Sequence, residues 1–341
     1  MLTNEEKINN IFKIWLSASL LLVFFIIIVG GLTRLTNSGL SITEWELFQG
    51  ILPPLNDRSW ENYFEQYKQI PQYKILNSNM VLNEFKIIFY WEYFHRVLAR
   101  FIGLFFLIPL IYFYFSNKIK KDYLKNCYLI FLLILFQGLV GWYMVKSGLV
   151  NDITVSHYRL SIHLLNAFFI ISIIFWLRNN FIYQKNKVFF VFTKENFIFQ
   201  ILIGLIFLQI ILGAFVSGLD AGKIYQTWPL MGENFLPNDL ILTNSLSLIE
   251  FDNHSLVQFY HRNLAYIIIL YTIFLAIYIY KKRIVELYKP FKFVIIFLLL
   301  QVVLGIFTLI SGLNIALASI HQITSVLLVL SAINLYYFRA K

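Results

Sequence analysis

Four histidines carry most of the chemistry this chain can offer. His95 and His261 sit in matching fragments 166 residues apart, Tyr93-Phe94-His95-Arg96-Val97-Leu98-Ala99 and Phe259-Tyr260-His261-Arg262-Asn263-Leu264-Ala265. Each fragment opens a long apolar run. A second histidine follows in each half, His163 after Ser161-Ile162 and His321 after Ser319-Ile320. A histidine at membrane depth is costly without a partner. Two imidazoles on two helices can hold an iron porphyrin from both faces. A zinc ion wants further protein ligands, and no Cys, Asp or Glu recurs at matching positions in both halves. A proton relay stays open, although it does not require two histidines on separate helices in each half.

Around these histidines the halves differ. Glu92 precedes His95 by three residues and so shares its side of a helix. Its counterpart is Gln258, which cannot ionise. An acid beside one site alone suggests proton handling in the first half; the alternative is a helix-start carboxylate favoured by the dipole. Arg96 and Arg262 follow two of the histidines. A guanidinium matches a porphyrin propionate bidentately, or it snorkels to lipid headgroups. Arg100 faces Tyr266 in the repeat, Arg159 faces Leu317, and Glu44 and Glu46 face Thr227 and Pro229. His157 and His254 have no counterparts and are expected at the surface or the membrane interface.

The elements that position these residues read as membrane helices. Hydrophobic residues make up 59% of the 341 residues and charged residues 13%, which is too apolar for a soluble protein. Runs near 20 apolar residues recur. They predict eight spans over 12–32, 94–115, 126–145, 158–177, 197–217, 257–280, 291–311 and 317–338. The formal charge of +10 lies mainly in short loops: 116–126, 178–196 and 281–292. That pattern puts those loops and both termini inside and argues against a nucleic-acid partner. Cys127 is the one cysteine; it excludes an internal disulfide and is expected as a small core residue near a helix end. The long connections 33–93 and 218–256 then lie outside. Trp45 and the stretch Trp60-Glu61-Asn62-Tyr63-Phe64 form either an interfacial belt or a cap over a ligand site. Ser59 is expected to N-cap a short surface helix that Pro71 ends.

The duplication extends well beyond the histidines. Val29-Gly30 through Trp45 aligns without gaps to Leu212-Gly213 through Trp228 at an offset of 183, and Pro54 meets Pro237 at the same offset. Gln137, Gly141 and Ser147-Gly148-Leu149 meet Gln301, Gly305 and Ser311-Gly312-Leu313. Four spans per half give parallel repeats. The expected fold is an all-α polytopic membrane protein, with eight transmembrane helices as two pseudo-symmetric four-helix bundles, 1–190 and 191–341. All four histidines then lie near the outer face, in the first turns of their spans.

Several long segments resemble the haem A synthase family. They are Gly30-Gly31-Leu32-Thr33-Arg34-Leu35-Thr36, Ser38 through Trp45, Pro53-Pro54, Glu92-Tyr93-Phe94-His95-Arg96, Tyr158-Arg159-Leu160, Val257 through Arg262 and the His321 segment. The resemblance covers nearly the whole chain. It implies oxidation of the C8 methyl of haem O to the formyl group of haem A, through a hydroxymethyl intermediate, for cytochrome oxidase. It implies that His261 and His321 hold a permanent haem b, with Arg262 beside them. His95 and His163 would bracket the substrate haem, with Arg96 beside them and Glu92 catalytic. Haem O and membrane lipid are the implied partners, together with haem O synthase and an electron partner that the sequence does not identify; a homo-oligomer is compatible. Some bacterial members carry a cysteine pair in the outer loops, which this chain lacks, so it is similar to the proteobacterial and mitochondrial subgroup. The first run lacks a cleavage site and no transit-like segment precedes it, which favours a bacterial inner membrane, with the haem sites toward the periplasm. The rival readings are a non-catalytic bis-histidine haem electron carrier and a haem transporter.

Overall fold

The structure, a computed structural model, describes residues 4–44, 50, 52–149, 153–239 and 249–340. Trp45 and Glu46 therefore lie outside the described residues. Among the described residues ten α-helices follow one another: α1 Asn4–Leu35, α2 Asp57–Lys68, α3 Pro71–Leu76, α4 Leu82–Ser116, α5 Lys121–Gly148, α6 His157–Ile182, α7 Lys194–Gly218, α8 His254–Lys281, α9 Tyr288–Ile310 and α10 Ile315–Arg339. Among the described residues, eight helices are long and apolar enough to cross a membrane. They contain seven of the eight predicted spans whole, and the seventh span, 291–311, runs one residue past the end of α9. Many of their apolar side chains face outward, as Leu132, Leu135 and Leu139 do on α5. Such stripes suit helices solvated by hydrocarbon rather than water. The chain divides into two compact units, Met1–Ile170 and Ile171–Lys341, and the division falls inside α6.

In the first unit α4 packs on α1, α2 and α5. Aromatic rings fill the α1–α4 seam. Phe12 meets Phe113 edge-on at 5.0 Å, and Trp15 lies 4.7 Å from Phe106. Pro109 interrupts α4 and has no N–H to give the carbonyl of Phe105. The indole of Trp15 donates to that carbonyl at 3.1 Å. A membrane helix tolerates proline where a neighbour satisfies the freed group, and here the neighbour is α1.

Three features of this unit differ from expectation. Helix α4 starts at Leu82, about three turns before the predicted span. These turns are polar enough to stand outside the apolar run, and Glu84 caps them by accepting from the Val81 amide at 3.1 Å. Their exposed flank receives α2 through Trp60, Phe64 and Tyr67, which are buried against Phe85 and Phe89. Those aromatics are thus a packed cap rather than a belt. The helix of the cap is N-capped by Asn56, whose Oδ1 accepts from Ser59 N–H at 2.8 Å; Ser59 lies in its first turn. Pro71 begins α3 instead of ending α2, because a fixed φ and a missing N–H cost nothing at a first helical position. Tyr67 donates to Gln72 at 3.0 Å. Burial pushes its pKa above the ordinary value, so the hydroxyl stays a donor.

The second unit is held by α10 against α9 and α7, and by α7 against α8. Tyr271 donates to the Ile198 carbonyl at 2.7 Å, and Gln200 donates to the Tyr336 hydroxyl at 2.8 Å. The end of α10 is tied down by Lys187, which donates to the carbonyls of Tyr337 and Ala340, and by an Arg339–Glu195 ion pair. Cys127 is buried near the start of α5, as expected.

The proline at 109 makes a specific prediction. Trp15→Phe keeps the ring but strands the Phe105 carbonyl, a loss of about 1–3 kcal/mol. Pro109→Ala restores the backbone donor, so the double variant recovers most of that loss. Thermal unfolding of the four proteins in one detergent measures the coupling. Additive losses would exclude the indole–carbonyl link.

Candidate functional site

Each of the four histidines rests against a glycine of the preceding long helix. A Cβ placed on Gly30 of α1 would lie 3.3 Å from His95 Nε2, and one on Gly141 of α5 would lie 3.0 Å from His163 Cε1. In the second half the equivalent distances are 3.1 Å from Gly213 of α7 to His261 and 3.1 Å from Gly305 of α9 to His321. Any larger residue would crowd an imidazole. The sequence aligned these glycines; their purpose needed the helix pairing to become visible.

Glutamines fix the histidine backbones. Gln137 donates to the His163 carbonyl at 3.0 Å, and Gln301 donates to the His321 carbonyl at 2.8 Å. Asn166 and Thr324, each three residues past its histidine, complete the clamp on Gln137 and Gln301. Gln209 donates to the His261 carbonyl at 3.0 Å. Its repeat position is Ile26, so that clamp belongs to the second half alone.

His95 and His163 face each other with ring centroids 6.5 Å apart and planes 83° apart. Two imidazoles bound to one metal atom through nitrogens about 2.0–2.1 Å away would place their centroids about 6.3 Å apart. As residues, all four histidines are intermediate between buried and exposed. The Nδ1 atoms of His163, His261 and His321 are buried without a hydrogen-bond partner, and a buried polar atom of that kind calls for one. Among the described residues no three His, Cys, Asp or Glu side chains gather into a metal-binding cluster. A pair of imidazoles with no further protein ligand suits a metal that brings its own in-plane ligands, as an iron porphyrin does. The residues present therefore fit such a group.

The acid beside the first pair is tightly held. Glu92 is 2% exposed and lies about three turns into α4, so it is no helix-start carboxylate. One oxygen, Oε2, accepts from Ser41 Oγ at 2.7 Å and from the Ile42 amide at 2.9 Å. The other, Oε1, takes two N–H groups of Arg96, at 3.0 Å from Nε and 2.5 Å from Nη2. Arg96 also donates to the Ile42 and Glu44 carbonyls. The second half repeats the frame without the acid. Arg262 donates to the carbonyls of Tyr225 and Thr227, the repeat positions of Ile42 and Glu44, and Gln258 donates to Tyr225 O at 2.8 Å. Ser41 was not among the predicted site residues. Only its contact across 51 residues of sequence reveals it.

The remaining candidates settle into other places. Arg100 donates to Gly50 O at 3.1 Å. It shares an open cleft with Glu44, Tyr63, Tyr93 and Arg96. Arg159 stacks its guanidinium over Tyr143 at 4.9 Å. His254 is exposed at the start of α8. His157, expected at the surface or the membrane interface, begins α6, is 7% exposed and packs on Tyr158 with centroids 4.0 Å apart.

Residues 13–333 match the model of the COX15-CtaA family, described as cytochrome oxidase assembly protein. The chain belongs to that family. It is 46% identical over 341 residues to a haem A synthase of Pelagibacter ubique, covering 99% of each chain. It is 40% identical over 344 residues to a haem A synthase of Bartonella quintana, covering 100% of this chain and 95% of the relative. A haem A synthase of Rickettsia felis is 42% identical over 332 residues, 96% of this chain and 97% of the relative.

The glycine contacts generate a test with an internal control. Gly213→Ala and Gly305→Ala push His261 and His321 off position by a few tenths of an ångström, so the Soret absorbance per purified chain should fall several-fold. Gly204→Ala, where a Cβ meets nothing within 4 Å, should leave it unchanged. Equal absorbance in all three would sink the close-contact argument.

Proposed function

We propose that this chain is a haem A synthase, an oxidoreductase that converts the C8 methyl of haem O into the formyl group of haem A for cytochrome oxidase. The observation that carries this reading is the full-length likeness to haem A synthases, with coverage of 95% or more on both sides in the relatives named. The site chemistry supports it, because the facing pair of imidazoles suits an iron porphyrin and, among the described residues, Glu92 is a carboxylate beside the first pair with no counterpart at Gln258.

The roles divide between the halves. In 191–341, His261 and His321 would hold a resident haem b, with Arg262 beside them. Bound there, haem b supplies one-electron transfer. In 1–190, His95 and His163 bracket haem O as substrate. Glu92 is the catalytic group, placed to receive or return a proton near the reacting methyl, and Arg96 holds its carboxylate. The glutamine clamps orient the imidazoles, and the α2–α3 cap restricts water at the acid. The chain sits in a bacterial inner membrane with both termini and the basic loops inside and the histidine sites toward the outer face.

The test is to express the full chain with a haem O supply, extract the bound porphyrins and weigh them. Haem A or its hydroxymethyl precursor is expected. Unmodified haem alone, in both sites, would sink the enzymatic reading in favour of an electron carrier. Glu92→Gln should keep bound haem and lower the formyl yield by about 10²-fold or more, the usual scale of acid–base catalysis. A normal yield would remove Glu92 from the mechanism.

A further inference from the structure

We propose that Ser41 is a positioning residue for the reaction, acting through Glu92. This rests on the assignment of Glu92 as the catalytic group. Ser41 is 1% exposed and donates its hydroxyl to Glu92 Oε2 at 2.7 Å. The next amide, Ile42 N–H, donates to the same oxygen at 2.9 Å. Arg96 occupies the other oxygen. The carboxylate is therefore gripped on both sides, and its plane is set by donors from two separate segments of chain.

The segment that brings Ser41 to the acid is a tight turn whose left-handed residue recurs in the second half as Asp220, at φ 53°. After α1, Asn37 takes a left-handed conformation at φ 52°, a region that Asn tolerates better than most residues. The Ser38 amide turns back to the Thr33 carbonyl at 2.9 Å, and the Ser41 amide to the Ser38 carbonyl at 3.2 Å. The Thr36 and Ser38 hydroxyls lie 2.6 Å apart. Gln72 of the cap donates to the Asn37 carbonyl at 3.3 Å, so the cap braces the turn from outside.

The internal repeat supplies a control. At the second site the position of Ser41 is Ile224, 51% exposed, while the position of Glu92 is Gln258. The acid and its hydroxyl donor are absent together. The backbone also serves the opposite polarity there: Tyr225 offers its carbonyl to the Gln258 amide, where Ile42 offers its N–H to the Glu92 carboxylate. A serine needed only to fill or cap the turn has no reason to disappear with the acid. A serine needed to hold a carboxylate does.

Losing one hydrogen bond to a buried charge is worth about 10-fold or more in an equilibrium or a rate. The experiment reads two quantities on the full chain. The first is the infrared carboxylate band that Glu92→Gln abolishes. Ser41→Ala should shift that band, and Ser41→Thr, which keeps the hydroxyl, should leave it in place. Ser41→Cys, of similar shape with a weak donor, should shift it too and serves if the alanine variant does not fold. The second is haem A formed per bound haem, expected to fall about 10-fold in Ser41→Ala and to stay near the wild-type value in Ser41→Thr. An unshifted band, or an unchanged yield per bound haem, in whichever of the alanine and cysteine variants folds overturns the proposal. A wild-type chain that makes no haem A overturns the enzymatic reading instead, and the infrared band still decides whether Ser41 holds Glu92.

Discussion

Within hydrocarbon, a polar group has no water to fall back on and must find its partner inside the chain. That constraint explains contacts that otherwise look unrelated. The Phe105 carbonyl, freed by Pro109, is met by the Trp15 indole. Gln137 and Gln301 donate to the histidine carbonyls of the neighbouring helix, and Asn166 and Thr324 satisfy the glutamines in turn. Each of these bonds joins two long helices. Between helices whose outward faces are apolar, they set which residue faces which, since apolar packing in lipid has little preference of its own. The buried Nδ1 atoms of His163, His261 and His321 are left without protein partners.

Close approach is the second half of the design. An imidazole can be gripped from one side only if the neighbouring helix comes within contact distance, and glycine permits that. The same helix–glycine, helix–histidine pairing occurs four times, at Gly30, Gly141, Gly213 and Gly305. Duplication preserved this frame, and with it the hydrogen bonds of Arg96 and Arg262 to equivalent carbonyls. Function had to be built on departures from the frame. The clearest are Glu92, Ser41 and Arg100 in the first half and Gln209 in the second.

Much of this was legible before any coordinates. The eight spans follow from apolar run length, and the histidines from their repetition at one offset. Glu92 followed from the failure of that repetition at Gln258. What was not legible depends on distant pairing. Nothing local to Ser41 says that it meets an acid 51 residues away. The early start of α4 at Leu82 is stabilised by the cap packed on it, so a hydropathy window that sees only the apolar run cannot find it. The N-cap fell to Asn56 rather than Ser59 because two acceptable capping residues lay within one turn, and the rotation of the helix that buries Trp60 and Phe64 decides between them. His157 was misplaced for a similar reason: a histidine at a helix start is exposed or buried according to the face it occupies, and that face is set by the rest of α6.

The arginines show how one frame yields two electrostatic settings. Arg96 spends its charge on Glu92 through a short, buried ion pair, with side chains 11% and 3% exposed. That pair is neutral to first order. Among the described residues Arg262 has no carboxylate opposite it; its terminal nitrogens meet carbonyl oxygens, and its Nε is buried without a partner. The second site thus keeps a full positive charge and a spare donor in a setting of low dielectric, where an anionic group gains far more than it would in water. A porphyrin with ionised propionates would gain more from such an arginine than from one already paired with a carboxylate. The difference has the sign that the proposed division of labour needs: the resident cofactor where the arginine is uncompensated, and the exchangeable substrate where the acid has cancelled it. The carboxylate in the first half would then serve two purposes at once, proton handling at the reacting methyl and a weaker grip on a ligand that must leave.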